Sequence, residues 1–487
     1  MKVQQLPILI AFTYLAWALL IPLIAALRKN WIYPFTLVGS AISACASIYG
    51  FISSFGSEPL RYTFGGWAPP LGVEFIYDSL SSFILMVINT IAFLVLIHSK
   101  GVADREFPEK KMPYYALVML FMLGLNGITL TGDIFTLFVF LEISSLSSYG
   151  LMSVGKKFAV YTAFRYLIIG SIGGSLYLLG VFYLYTVTGT LNMADIAAMI
   201  PQVATQPGIV TGIILIVAGF GIKAALFPMH GWLPDLYAQA NSTSSALVAP
   251  IGTKVAAYVL IRLLLLVFGI NAVDAVAPIS TIIGILASIG IIYGSIYAIR
   301  QTQLKRMLAY SSVSQIGYVL LGLSLANPMG FRGAVLHILN HAIMKACLFL
   351  VAANLEKQEG HSDLSKFNKS FAKKYPWSML AFTLAALSMI GLPPLAGFFS
   401  KWYLAVGAVE GEQSWYLIVI LASSLLNAAY FFRIIERIYI KPADDTPSSQ
   451  NDVAFSMLLP TLILALGLLV VGLMNTTLLS NLLPFYD

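Results

Sequence analysis

The sequence predicts an all-α polytopic membrane protein of about fourteen transmembrane helices, with two inverted five-helix repeats and broken helices 7 and 12. Three observations carry this prediction. The chain is 59% hydrophobic and only 10% charged over 487 residues, where a soluble domain carries roughly 25% charged residues. Apolar windows of roughly 20 residues, enough to cross a bilayer, recur from end to end. The lysines and arginines that lie on connections between those windows fall almost entirely on alternate ones.

In order, the first seven windows lie near 6–27, 32–54, 76–98, 113–131, 134–152, 159–186 and 208–227. The second seven lie near 244–268, 275–299, 307–325, 333–354, 377–399, 415–434 and 454–474. The first window lacks a strongly charged leader and an A-x-A-like exit, so it is read as a retained helix, not a cleaved signal. Connections after odd-numbered windows hold Arg28, Lys29, Lys100, Arg105, Lys110, Lys111, Lys156, Lys157, Arg300, Lys305 and Arg306. They also hold Lys357, Lys366, Lys369, Lys373, Lys374, Arg437 and Lys441, while the even connections hold Arg61 and Arg332 alone. One miscounted window would scramble that alternation. The bias puts the odd connections in the cytoplasm and both termini on the outer side of a cell membrane.

Two short segments recur at nearly one spacing. Ser144-Ser-Leu-Ser-Ser-Tyr-Gly150 returns as Ser311-Ser-Val-Ser-Gln-Ile-Gly317, a shift of 167 residues. Leu226-Phe-Pro-Met-His-Gly-Trp232 returns as Leu392-Pro-Pro-Leu-Ala-Gly-Phe398, a shift of 166 residues. A unit of about five helices is odd in number, so its second copy enters the membrane upside down, as in secondary transporters. The expected organisation is 1–112 for the first three helices, 113–270 and 271–440 for the repeats, and 441–487 for the last helix. Pro228 and Pro234 interrupt the seventh window, and Pro393, Pro394 and Gly397 the twelfth. Proline removes a backbone donor and clashes with the preceding turn, and the freed carbonyls need protein or a wet cavity.

A charge at the bilayer centre costs about 3 kcal/mol on insertion scales, yet Glu142, Lys223, Lys254 and Lys345 sit in apolar windows and Lys401 at the edge of one. The default reading of such charges is a path for ions or protons. Nothing within one turn neutralises Glu142, so its partner comes from another helix, and Lys223 is the candidate. The alternative is a static ion pair that fixes helix packing. Lys254 is a proton carrier or a lysine snorkelling to the cytoplasmic side. Desolvation favours the uncharged form of lysine, which lets a buried amine exchange protons that an exposed one keeps.

His337, His341 and Lys345, spaced four apart, form a stripe on one helix face. Imidazole can pass a proton between its two nitrogens. A zinc pair is the rival chemistry, unsupported by an HExxH pattern or a further soft ligand, and satisfied packing histidines are the structural rival. Lys401 ends the line, or snorkels at the interface. His230 and Asp235 are placed near the cytoplasmic mouth as lining groups. Asp78, Asp133, Arg165, Arg262 and Arg433 lie near helix ends and are read as structural, Lys305 and Arg306 as boundary anchors. Cys45 and Cys347 lack a CxxC context and are read as inert packing residues. No cofactor is expected, catalytic residues are none, and nucleic acid is not a partner.

With those residues in view, the chain resembles a known family. Phe140-Leu-Glu142, the segment from Lys223 through Leu-Phe-Pro-Met-His-Gly-Trp to Asp235, and Leu304-Lys-Arg-Met-Leu-Ala-Tyr-Ser-Ser-Val-Ser-Gln-Ile-Gly317 carry the likeness. So do His337-Ile-Leu-Asn-His341 with Lys345, and Gly391-Leu-Pro-Pro-Leu-Ala-Gly-Phe-Phe-Ser-Lys401. They are similar to the antiporter-like subunits of respiratory complex I, of Mrp-type cation/proton antiporters and of membrane-bound hydrogenases. The segment from Tyr62 to Glu74 most resembles the D subunit of Mrp antiporters. The resemblance implies Glu142 and Lys223 as a coupling ion pair, Lys254 as the central lysine, His337 and His341 as a polar bridge and Lys401 as the exit residue. Gln303 stands where many relatives have aspartate. It also implies partner subunits in a multi-subunit membrane complex, with protons, and Na⁺ in an Mrp setting, as the cargo. A scaffold with an inert relay and a self-sufficient transporter of an organic substrate are the alternatives from other classes.

Overall fold

The computed structural model describes residues 5–55, 58–442 and 452–480, so the extreme termini, assigned to the outer side by the sequence, lie outside the described residues. First come α1 (Leu6–Leu27), α2 (Ile32–Ser53) and α3 (Ser79–Glu106), with an antiparallel hairpin, β1 (Leu60–Thr63) and β2 (Glu74–Tyr77), between α2 and α3. Next are α4 (Lys111–Leu130), α5 (Ile134–Ser153), α6 (Ala159–Thr188), the short α7 (Met193–Val203) and α8 (Pro207–Ala224). They are followed by α9 (Leu233–Gln239), α10 (Ser242–Ile261), α11 (Ile270–Asp274), α12 (Ile279–Ile299), α13 (Leu304–Ser324) and α14 (Pro328–Glu359). The chain finishes with α15 (Ser370–Lys374), α16 (Pro376–Ile390), α17 (Ala396–Glu410), α18 (Trp415–Tyr439), α19 (Phe455–Leu473) and α20 (Asn475–Ser480).

Among the described residues, 13 helices are long and apolar enough to cross a membrane. The window expected near 377–399 is instead divided between α16 and α17. The expected all-helical membrane fold is therefore what forms, with one short hairpin that hydropathy alone did not signal.

The basic connections gather on one face. Asn241 N donates to Val154 O, Leu304 N to Ser362 O and Lys369 N to Lys441 O, while Arg105 reaches Lys357 O. On the opposite face the hairpin is tied in by Gly132 N donating to Glu74 O and by Asn192 Nδ2 donating to the Glu74 carboxylate at 3.2 Å. Between the faces α14 forms the centre, buried along its whole apolar stretch and packed against α10, α13, α16, α17 and α19.

Both helix breaks follow from their prolines, and both recover the freed carbonyls. At the end of α8, Ala225 turns left-handed (φ 60°), Leu226 N caps Gly221 O and Trp232 Nε1 donates to Ile222 O at 3.0 Å. At the end of α16, Gly391 supplies the left-handed turn (φ 95°), and Lys401 Nζ reaches back to Met389 O and Ile390 O at 3.1 and 3.0 Å. Cations at a helix C-terminus also meet the favourable end of its dipole.

Close helix contact sets the position of α8. A Cβ added at Gly219 would stand 2.6 Å from Gly173 O and 2.9 Å from Tyr177 N of α6, a backbone approach that small residues permit. The Gly219→Val variant should lose about 1–3 kcal/mol, the usual penalty of overpacking, read as a lowered unfolding temperature in detergent.

Candidate functional site

Lys223 comes from the last turn of α8, directly before the break. Its Nζ donates to Ser145 Oγ at 2.6 Å and to Tyr149 Oη at 3.4 Å, both on α5, and it lies 5.8 Å from the Tyr149 ring. The ion pair expected with Glu142 is not closed. Ser145, one turn further along α5, intercepts the amine. Glu142 Oε1 stays buried without a donor, in room left by Gly174 of α6.

From Lys223 a cavity of about 40 Å³ extends past Ser144, Ser145, Ser148 and Tyr237 to Thr253. Such a volume admits two or three waters, at about 10–15 Å³ of centre-accessible space each. Next to Thr253 in the chain, Lys254, 1% exposed, donates to Ala249 O at 2.6 Å and to Thr253 Oγ1 at 3.4 Å. It does not snorkel.

His337, His341 and Lys345 occupy the core face of α14, all at 0% exposure. Lys345 Nζ donates to Leu308 O at 2.6 Å and to Ser311 Oγ at 2.5 Å, both on α13. The two imidazole rings lie 6.0 Å apart. Among the described residues neither nitrogen of His341 has a hydrogen-bond partner, whereas His337 bonds Gln315 Oε1 at 3.0 Å and Ser400 Oγ at 2.9 Å. Ser400 adjoins Lys401, which is 6% exposed. Besides the two α16 carbonyls, Lys401 takes Ser424 Oγ at 3.1 Å and sits 5.1 Å from the Tyr318 ring.

None of Lys223, Lys254, Lys345 and Lys401 forms an ion pair among the described residues. Their partners are carbonyls, hydroxyls and aromatic rings. A neutral amine keeps two N–H donors, so these acceptors satisfy it whether or not it holds its extra proton. No buried carboxylate is stranded when the proton leaves.

Other expected residues are placed differently. His230 is buried between the rings of Phe227 and Tyr293, at 5.4 and 4.9 Å. Asp235 stands apart from the buried line, bonded to Arg306 at 2.9 Å and close to Arg165 at 3.9 Å. Asp133 caps α5 through Thr136 N. Cys347 is buried, whereas Cys45 is exposed. Lys305, read as a boundary anchor, lies beneath the surface. It is 2% exposed, 3.5 Å from Glu356, and donates to Ala240 O at 2.7 Å. Glu356 escaped the sequence reading because it falls in the polar run closing α14, where a carboxylate is ordinary. Among the described residues no group of three His, Cys, Asp or Glu side chains is placed to hold a metal ion.

Comparisons with known proteins agree with this architecture. The family described as NADH:quinone oxidoreductase/Mrp antiporter, TM, matches residues 131–427. The chain is 41% identical over 494 residues to the N subunit of an NADH-quinone oxidoreductase from Desulforudis audaxviator, covering 99% of this chain and 98% of that one. It is 30% identical to the D subunit of the Na(+)/H(+) antiporter of Alkalihalophilus pseudofirmus, over 96% and 93% of the two chains. In a solved structure, a chain of the membrane-bound sulfane sulfur reductase, an archaeal respiratory membrane complex, superposes with a TM-score of 0.90 at 27% identity, over 99% and 97% of the chains.

Proposed function

We propose that this chain, which belongs to the NADH:quinone oxidoreductase/Mrp antiporter family, moves protons along the buried line Glu142, Lys223, Lys254, Lys345, His341, His337 and Lys401. It is an antiporter-like, polytopic membrane subunit, and its relatives are subunits of multi-subunit membrane complexes. The observation that carries the reading is the acceptor set of the four lysines. A structural cation is usually tied to a carboxylate, while a proton carrier needs surroundings that tolerate both of its states. Glu142 then acts through space on Lys223, raising or lowering the cost of its charge without holding it by a bond.

The basic face is assigned to the cytoplasm, and residues 113–270 and 271–440 to inverted repeats whose breaks follow α8 and α16. His230 is a lining group at the first break, and Asp235 an exposed ion-pair partner beside it.

Two settings supply the driving force. Identity of 41% with the N subunit of an oxidoreductase, against 30% with the D subunit of an antiporter, favours a partner whose electron transfer drives the protons. Coupling to sodium is the second reading, favoured by the Tyr62–Glu74 segment. In inverted vesicles carrying the whole complex, an electron donor that acidifies the lumen supports the first setting, and a sodium pulse that releases protons from a pre-acidified lumen, in exchange for Na⁺ entering, supports the second.

The relay itself is tested by Lys223→Arg, which keeps a cation but cannot release its proton. Proton uptake by the vesicles should fall to about a tenth or less, within the range lost with a positioned acid–base group. An undiminished rate would sink the relay and leave a scaffold.

A further inference from the structure

On the basic face, the connections α3–α4, α5–α6 and α9–α10 enclose an open cavity of about 630 Å³, lined by Glu106, Lys110, Lys156, Ser242 and Glu356 among others. Its floor is the end of α14. The Glu356 side chain is 11% exposed and accepts from Lys156 Nζ at 2.9 Å, from Ser362 Oγ at 3.2 Å and from Ser242 Oγ. On the inward side stands Lys305 Nζ, 3.5 Å from Glu356 Oε2. Among the described residues this is the one ion pair in which a lysine less than a tenth exposed meets a carboxylate.

Lys305 is also the inward link. It lies in the first turn of α13, and the next turn presents Leu308 O and Ser311 Oγ, the two acceptors that hold Lys345. Leu308 and Ser311 follow Lys305 by three and six residues, and one helical turn rises about 5.4 Å, so between one and two turns of α13 lie between Lys305 and the acceptors that hold the amine of the buried line.

We infer that Glu356 and Lys305 form the proton-uptake gate of this subunit, admitting protons from the basic-face cavity to Lys345. The inference rests on the relay reading above. In the resting state Glu356 is a carboxylate and Lys305 an ammonium. Lys305 gives its proton inward and becomes neutral. A proton from cavity water then binds Glu356, and the carboxylic acid passes it to the Lys305 amine, restoring the ion pair with no net charge left behind. Lys156, half-exposed, neutralises the carboxylate while Lys305 is uncharged and swings aside when the proton arrives. Glu106 adds a second carboxylate at the rim.

A bolt joining α14 to α13, α10 and the α5–α6 connection would use the same contacts, so the test must separate the two roles. Lys305→Arg preserves the charge and the pair but cannot release a proton. In vesicles bearing the assembled complex, Glu356→Gln and Lys305→Arg should each slow proton translocation about tenfold, as expected for loss of a proton-transfer group, at unchanged complex content. Wild-type rates in Lys305→Arg would make the pair a bolt and overturn the gate. Lys254→Met serves as the reference. If it is inactive while Glu356→Gln is not, the gate falls and the relay stands; if it is fully active, both fall. Should the Glu356 variant fail to assemble, Ser153→Cys in a Cys45→Ser background, labelled after assembly with a membrane-impermeant thiol reagent that fills the cavity, decides. Slowed transport supports the gate and an unchanged rate overturns it.

Discussion

Lys254→Met should abolish proton translocation, by about a hundredfold or more, the scale on which a positioned proton carrier contributes. Lys254 follows Thr253, which lines the cavity from Lys223, on α10, a helix that packs against α14. The flanking lysines have positions of their own, Lys223 held on α5 and Lys345 on α13, so neither takes the place of Lys254. Methionine matches its length and flexibility but carries no proton. The same change should not harm folding. Removing a charge from a membrane interior relieves a cost of about 3 kcal/mol, and Ala249 O, the acceptor left behind, already lies within helix α10. The expected pair of results is therefore a silent transporter and an unfolding temperature equal to or above wild type, measured on the same purified complex. Retained transport would mean that protons cross elsewhere.

The second large effect concerns stability. Asp78 closes α3 from its N-terminus, accepting from Ser81 N at 2.8 Å, and its other oxygen takes Arg262 Nη2 at 2.7 Å. Arg262 also reaches Tyr258 Oη at 3.1 Å, whose own hydroxyl donates to Thr129 O of α4 at 2.8 Å. Three helices thus meet at one ion pair, with side chains 9% and 5% exposed. Asp78→Ala strands the guanidinium and should cost about 3–5 kcal/mol, plus about 1 kcal/mol for the lost helix cap. Arg262→Met added to Asp78→Ala should recover most of the first figure, because the stranded charge is gone. Full additivity of the two losses in a thermal-unfolding cycle would contradict the pairing. Burial works to raise the Asp78 carboxyl, but Arg262 beside it and the bonds from Ser81 hold it below the ordinary carboxylate range. The contribution of the pair is accordingly complete at neutral pH and is lost as pH falls through that lowered value.

The sequence disclosed what lipid makes expensive. Lysines within apolar windows and prolines at the two breaks each violate a cost that membranes impose, so Lys223, Lys254, Lys345, Lys401 and both interruptions could be found by inspection. The alternation of Lys and Arg disclosed the gathering of connections on one face. What stayed hidden has a common cause, which is that acceptors such as Met389 O, Ile390 O, Ala249 O and Leu308 O belong to the backbone and carry no residue-type signal. Glu142 was paired with Lys223 on charge alone, although Ser145 is the atom within reach. Asp78 with Arg262, and Lys305 with Glu356, join residues far apart in the chain, and each residue taken singly looks like an ordinary helix-end charge.

The grip of Lys401 on the end of α16 has a mechanical side. A charge-assisted hydrogen bond is about twice as strong as a neutral one, and Lys401 makes two such bonds to carbonyls that the break has released. On the proposed relay, discharge of the amine would replace two charge-assisted bonds by weaker neutral ones and so loosen the hold between the two half-helices. The electrical state of one nitrogen would then be coupled to the bend between α16 and α17.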